Sequence, residues 1–429
     1  MDQIRITGGN QLHGNIPISG AKNAALPLMA VCLLSKETLS LSNIPYLADV
    51  SSMVTLLASM GVKVEMDDGL SVGKAKLQTL NLCAQDISNP LAEYELVRKM
   101  RASVLVLGPL LSRFGRAVVS LPGGCAIGTR PVDLHIQAMQ SLGANIELNN
   151  GYIHASAPDG LSGAEIVFPL VSVGATENAM MAACLARGQT IIRNAAQEPE
   201  IIDLGDCLNA MGAKISGLGT SNLVIDGVSS LHQAAHIICP DRIEAGTYAV
   251  AAAICGGDVT LTNVRPAALG SLLDKLRQAG VAVTTGTDTI RITRDPKNPL
   301  RPLDIVTEPF PGFPTDLQAQ MMTLLTLAEG ESKITETIFE NRFMHAPELM
   351  RMGAKIDVHG AVAVVHGAKE LIGAPVMATD LRASVSLVLA GLAARGQTTV
   401  NRIYHLDRGY ERLEEKLAAC GAQIERVAA

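Results

Sequence analysis

Apolar positions along this chain fall into two textures. Stretches such as AALPLMAVCLL (residues 24–34), GTYAVAAAIC (246–255) and RASVSLVLAGLAA (382–394) are apolar and built largely from small residues, a pattern that predicts small-residue core helices packed on sheets. Segments such as DVTLTNV and TIIRNA alternate polar and apolar residues and predict half-buried strands. The two textures are joined by Gly turns, as in GTYAVAAAICGGDVTLTNV, ATENAMMAACLARGQTIIRNA and RASVSLVLAGLAARGQTTVNRI. A second phrase, a helical segment, a glycine and then a short strand, occurs as LLASMGVKVEM, AMQSLGANIEL, CLNAMGAKISG, KLRQAGVAVTT, ELMRMGAKIDV and KLAACGAQIER.

The glycines of that phrase are Gly61, Gly143, Gly212, Gly280, Gly353 and Gly421, spaced by 82, 69, 68, 73 and 68 residues. Each suits a left-handed helix cap followed by a strand. About six βαβαββ-like repeats therefore fill the chain. Repeats of about 70 residues can each carry a small sheet, which favours two three-repeat α/β domains over a solenoid. The boundary is expected between Pro240 and Asp241, giving one domain over residues 22–240 and a second over 1–21 plus 241–429, with the active site in the cleft between them.

Composition narrows the function. The 429 residues are 48% hydrophobic and include 6 Phe, 6 Tyr and no Trp, so aromatic stacking on nucleic acid is not built in. A formal net charge of −6 offers no general attraction to nucleic acid or anionic lipid. The opening MDQIRITGGN has no leader pattern, and the first apolar run is short and holds Pro27, so no membrane span is expected. Eight cysteines without a CxxC pair or a His/Cys ligand spacing point to a reduced, cytoplasmic protein without a metal centre. Cys32, Cys184 and Cys255 lie in apolar runs and read as small core residues.

Several polar residues stand at predicted helix starts: Lys22 and Asn23 in SGAKNAALP, Arg101 in KMRASV, Ser172 in VSVGATEN, Asp316 in FPTDLQAQ and Arg382 in TDLRAS. Helix starts present free N–H groups, and with added cations they suit anions; each residue also reads as an ordinary cap or solvated charge. LPGGCAIGTRP sets Cys125 among glycines with Arg130 close behind, an arrangement that can expose and activate a thiol. His135 is the nearest histidine partner for a cysteine hydrolase. Asp316 reads either as an N-cap or as a general base, and Arg408 either as a ligand cation or as a helix-face partner of Glu411. The residues alone describe an anion-handling enzyme with a thiol loop and leave its substrate open.

SGAKNAALP, LPGGCAIGTRPVDLH, VSVGATEN, FPTDLQAQ, ENRFMHAPEL, TDLRAS and HLDRGYERLEEKL occur in that order. Together they resemble the enolpyruvyl transferase family, in the branch acting on UDP-N-acetylglucosamine, over nearly the whole chain. The resemblance implies an inside-out α/β barrel of two three-repeat domains. It also implies transfer of the enolpyruvyl group of phosphoenolpyruvate to the sugar 3′-hydroxyl with loss of phosphate, the first committed step of peptidoglycan synthesis, without cofactor or metal.

By the same resemblance Cys125 is the proton donor to phosphoenolpyruvate and the target of covalent inhibition by fosfomycin, and Asp316 accepts the hydroxyl proton. Lys22, Asn23, Arg130, Arg382 and Arg408 hold phosphoenolpyruvate, with Lys22 and Arg408 also counted as catalytic. Asn23, Arg101, Arg130, Pro131, Val132, Asp133, Leu134, Ser172, Val173, Gly174, Asp316 and Ile338 hold UDP-N-acetylglucosamine. Some members have Lys just before VSVG, where this chain has Leu170. The alternatives are the sister enzyme acting on shikimate 3-phosphate, which usually begins with a Gly-Ser-Lys-Ser pattern, and a noncatalytic sugar-nucleotide-binding protein.

Overall fold

A computed structural model describes residues 2–72, 75–98, 100–121 and 132–428, with the side chains of 68–77 left aside. The described residues form six four-stranded sheets. In each, one strand pairs in parallel with a second, which continues into an antiparallel pair: Glu165–Val167, Gln189–Arg193, Asn222–Asp226 and Lys214–Ser216 make one sheet in that order. Two compact units result, one of Met1–Ser19 with Pro240–Ala429, the other within residues 20–239. Each holds three sheets and its own apolar core.

The dividing points fall a residue or two before the sequence-expected ones. Where the chain passes between units, Asp241 N donates to Ser19 O and Ala21 N donates to Cys239 O, so the change of partner comes at 19–21 and 239–241. The amino-terminal strands Asp2–Thr7 and Leu12–Pro17 join sheets made otherwise of residues beyond 256.

Sequence texture explains the layering. The helices Arg242–Cys255, Gln318–Leu325 and Leu381–Ala393 are buried along nearly their whole length and pack against one another. Lys22–Val31 and Val173–Ala183 are the matching buried helices of the other unit. Helices lie inside and sheets outside, because a helix apolar on all faces has nowhere else to go.

The six repeat glycines adopt φ between 92° and 106°. A side chain at those positions would be strained whatever the space around it. The long first spacing has a local cause: the hairpin Lys63–Val72 and Ala75–Cys83 is longer than its counterparts, and the turns Tyr94–Val97 and Arg101–Val106 follow it. Among the described residues no helix is long and apolar enough to cross a membrane.

Candidate active site

Most of the singled-out polar residues stand at helix starts. In the unit containing the carboxyl-terminal half, Asp316 lies on the single 3-10 turn Thr315–Leu317 that leads into Gln318–Leu325. It is not the cap of that helix. Its carboxylate faces two guanidiniums, with Arg342 Nη2 at 2.7 Å from Oδ1 and Arg382 Nε at 3.4 Å from Oδ2. Both arginine side chains are 5% exposed against 26% for Asp316, so the acid is the accessible member of the trio.

Arg382 is the second residue of Leu381–Ala393, whose N-cap Asp380 accepts from Arg382 N at 2.8 Å and Ala383 N at 3.0 Å. That cap fixes the backbone from which the guanidinium reaches Asp316. Burial alone would lower the Arg382 pKa, but Asp316 and Tyr410 outweigh it and push the value up. Its Cζ lies 5.6 Å from the Tyr410 ring centre, and among the described residues Nη1 has no hydrogen-bond partner. One buried donor of a cation thus remains for an acceptor that the described protein does not supply.

Tyr410 and Arg408 flank Gly409, and a Cβ there would lie 2.5 Å from Leu381 Cδ1. The glycine lets the turn Ile403–Arg408 close down on the helix bearing Arg382. Arg408 does not share a helix face with Glu411, because the turn ends at Gly409 and the next helix begins only at Leu413. Gln320 Nε2 is within 3.0 Å of Thr247 Oγ1 and of the Asp316 carbonyl and 3.4 Å from Tyr410 Oη, tying the acid-bearing turn to its neighbours. Ile338 is half-buried on the segment after the strand Glu331–Thr335.

In the other unit, Lys22 and Asn23 open the helix Lys22–Val31. The Lys22 ammonium sits 2.6 Å from Asp49 Oδ2, with both side chains under 10% exposed. Ser172 is the N-cap of Val173–Ala183 and accepts from Ala175 N at 3.3 Å. A Cβ on Gly174 would lie 3.2 Å from His135 Cε1. His135 is buried and bonds Asn178 through Nδ1 at 3.1 Å. Burial, with the Arg101 charge adding to it, lowers its pKa to about 4. It is a neutral core group, and this removes the support it lent to a cysteine hydrolase.

Arg101 begins Arg101–Val106; Val132 is buried, Leu134 is half-buried, and Asp133 is exposed at the start of Asp133–Ser141. Leu170 is 72% exposed. Cys125, Arg130 and Pro131 lie outside the described residues. Cys184 and Cys207 are buried thiols pushed up to about 12 by burial, and Cys255, only partly covered on its surface, is likewise pushed up to about 12. Sequence reasoning missed Arg342, Tyr410 and Asp49. Arg342 and Tyr410 lie inside ENRFMHAPEL and HLDRGYERLEEKL, so the signal was an arginine and a tyrosine in motifs already noticed.

Residues 6–417 match the EPSP synthase (3-phosphoshikimate 1-carboxyvinyltransferase) family. The fold is that of the enolpyruvyl transferase NikO from Streptomyces tendae, with TM-score 0.88 and 27% identity over 100% of this chain and 99% of that one. An EPSP synthase from Acinetobacter baumannii has the same fold at TM-score 0.74 and 19% identity, with all of both chains covered. Fold and family match together define an enolpyruvyl transferase. A UDP-N-acetylglucosamine 1-carboxyvinyltransferase from Paramagnetospirillum magneticum is 60% identical over 100% of this chain and 99% of its own. The Caulobacter vibrioides protein of the same name is 61% identical over 100% of this chain and 98% of its own. The chain belongs to the UDP-N-acetylglucosamine 1-carboxyvinyltransferase family.

Proposed function

We propose that Asp316, Arg382 and Arg408, with Lys22, Asn23, Cys125 and Arg130, carry the reaction of this family in the present chain. The enzyme transfers the enolpyruvyl group of phosphoenolpyruvate to UDP-N-acetylglucosamine (EC 2.5.1.7), a step of peptidoglycan synthesis. The geometry at Asp316 supports the residue roles best: a quarter-exposed carboxylate between two buried guanidiniums, one of which keeps a nitrogen unpartnered among the described residues.

The Cys125 thiol gives its proton to C3 of phosphoenolpyruvate, and C2 gains oxocarbenium character. The sugar 3′-oxygen bonds to C2 while its proton passes to the Asp316 carboxylate. In the tetrahedral intermediate the C2–O bond to phosphate then breaks and C3 returns a proton to the Cys125 thiolate, leaving the enolpyruvyl ether and phosphate. Lys22, Arg130, Arg382 and Arg408 bind the phosphate and carboxylate, where fixed cations stabilise charge without reorganisation. Arg101, Arg130, Pro131, Val132, Asp133, Leu134, Ser172, Val173, Gly174 and Ile338 hold the sugar nucleotide, and Asn23 bonds near the reacting carbon. A nucleotide-activated sugar as substrate, with no membrane-crossing helix among the described residues, supports a cytoplasmic location.

Cys125 is also the site of fosfomycin alkylation in this reading. The test is activity and intact mass after prolonged exposure to fosfomycin with UDP-N-acetylglucosamine present. Loss of turnover with one covalent addition is expected, absent in Cys125→Asp, which still turns over because a carboxylic acid can donate the proton. Cys125→Ser loses most activity, since a hydroxyl is a far weaker acid. Unchanged wild-type activity after exposure, or near-native turnover of Cys125→Ser, rejects the role of the thiol.

A further inference from the structure

One buried carboxylate beside the Asp316 turn has no part in the chemistry above. Glu336 follows the strand Glu331–Thr335 and is 3% exposed. Its Oε1 accepts from Thr307 Oγ1 at 3.0 Å, Ile338 N at 2.9 Å and Phe339 N at 3.1 Å. Its Oε2 accepts from Thr315 Oγ1 at 2.8 Å. Two carboxylate oxygens thus satisfy four donors, three of them on the turns that carry Asp316 and Ile338.

The contacts close a ring. Thr315 precedes Asp316; Asp316 is held by Arg342; the Arg342 guanidinium carbon lies 5.2 Å from the Phe339 ring centre; and Phe339 N returns to Glu336. Glu336 therefore fixes Asp316 from two directions, through the backbone of its own turn and through the arginine on its carboxylate. It also fixes the backbone at Ile338. A neutral acceptor of the same shape would serve nearly as well, because none of the four donors carries charge.

We infer that Glu336 is a positioning residue for the transfer, setting the Asp316 carboxylate and the Ile338 backbone in one geometry; this rests on Asp316 being the base. A displacement of the base by about 1 Å costs on the order of 100-fold in rate. Glu336→Ala is expected to lower kcat by roughly 10- to 100-fold and to raise the KM for UDP-N-acetylglucosamine more than that for phosphoenolpyruvate. Glu336→Gln keeps the oxygen for three donors, and its amide donates to the Thr315 hydroxyl, so kcat stays within about 3-fold of wild type.

The deciding measurement is a double-mutant cycle with Asp316→Ala, following residual phosphate release at high enzyme concentration over hours. A positioning residue acting through Asp316 costs little more once the carboxylate is gone. A full Glu336→Ala penalty in the Asp316→Ala background overturns the inference while leaving the base intact, as does a Glu336→Gln as slow as Glu336→Ala. Wild-type kcat in Asp316→Ala alone removes the base and the inference with it. Should Glu336→Ala fail to fold, Thr315→Val takes its place in the cycle, with Thr315→Ser expected to restore the rate and a slow Thr315→Ser contradicting the hydrogen-bond route.

Discussion

Two buried ion clusters in the same unit differ in one respect that separates structure from function. At Glu244, Oε1 meets Lys416 Nζ at 2.6 Å and Oε2 accepts from Ser19 N at 2.8 Å, while Lys416 also donates to Ser19 Oγ at 2.8 Å and faces the Tyr248 ring. One anion meets one cation, the side chains are 3% and 13% exposed, and both carboxylate oxygens are used. At Asp316 one accessible anion meets two buried cations, and a guanidinium nitrogen is left over among the described residues. A closed pair with both carboxylate oxygens used has nothing left to offer a ligand, whereas a buried guanidinium with an unused donor beside an accessible carboxylate can still take an acceptor.

Removing the acid has the largest expected effect on turnover. Asp316→Asn should lower kcat of the folded enzyme by about 10²- to 10⁴-fold in steady-state phosphate release, and it should lower the melting temperature as well, because two buried guanidiniums lose their anion. Lys416→Met should lower the denaturation midpoint most at pH above about 7, where the buried Glu244 carboxyl must take up a proton or stay ionised without its cation, while kcat of the folded enzyme stays within about 2-fold.

A third test uses pH. Burial pushes the Glu244 carboxyl up to about 7, although the Lys416 ammonium and the bond from Ser19 pull it down. The folded state then holds this proton more tightly than the unfolded state, so the stability it contributes is complete below the ordinary carboxylate pKa and is lost as pH rises through about 7. Melting temperatures from pH 5 to 8 should show a decline equivalent to about 3 kcal/mol, absent in the Glu244→Gln/Lys416→Met double variant. Smaller again, Gly409→Ala must displace the Leu381 side chain and should cost about 1–3 kcal/mol, with kcat/KM for phosphoenolpyruvate falling more than the melting temperature alone explains. Ser172→Ala should cost about 1 kcal/mol of stability through the lost cap, read from the denaturation midpoint.

Much of the fold was legible because its determinants are local. Only glycine accepts the backbone of the six repeat turns at little cost, so the turns declare themselves at fixed intervals. Helices such as Arg242–Cys255 announce burial by lacking a polar face. The placement of Lys22, Arg101, Ser172, Asp316 and Arg382 at or near helix starts could be read for the same reason.

What those side chains face could not be read. Asp316 suited an N-cap by position, yet Arg342 and Arg382 claim its carboxylate from later segments. Lys22 suited a ligand cation, and Asp49, from the next helix, sits on it at 2.6 Å. His135 suited a thiol partner until its burial against Asn178 was seen. The pairing of Arg408 with Glu411 failed because Gly409 ends the turn between them. Each of these observations concerns a contact between segments distant in sequence or a break in the helix that would have carried it, and neither leaves a periodic trace.

The enzyme moves an enolpyruvyl group to a sugar nucleotide. Phosphate release from phosphoenolpyruvate, measured with UDP-N-acetylglucosamine or with shikimate 3-phosphate as acceptor and with the product weighed by mass spectrometry, tests it most directly. Release is expected only with UDP-N-acetylglucosamine, with a product heavier by one enolpyruvyl group. Release with shikimate 3-phosphate instead, or tight binding of the sugar nucleotide without any release, would contradict it.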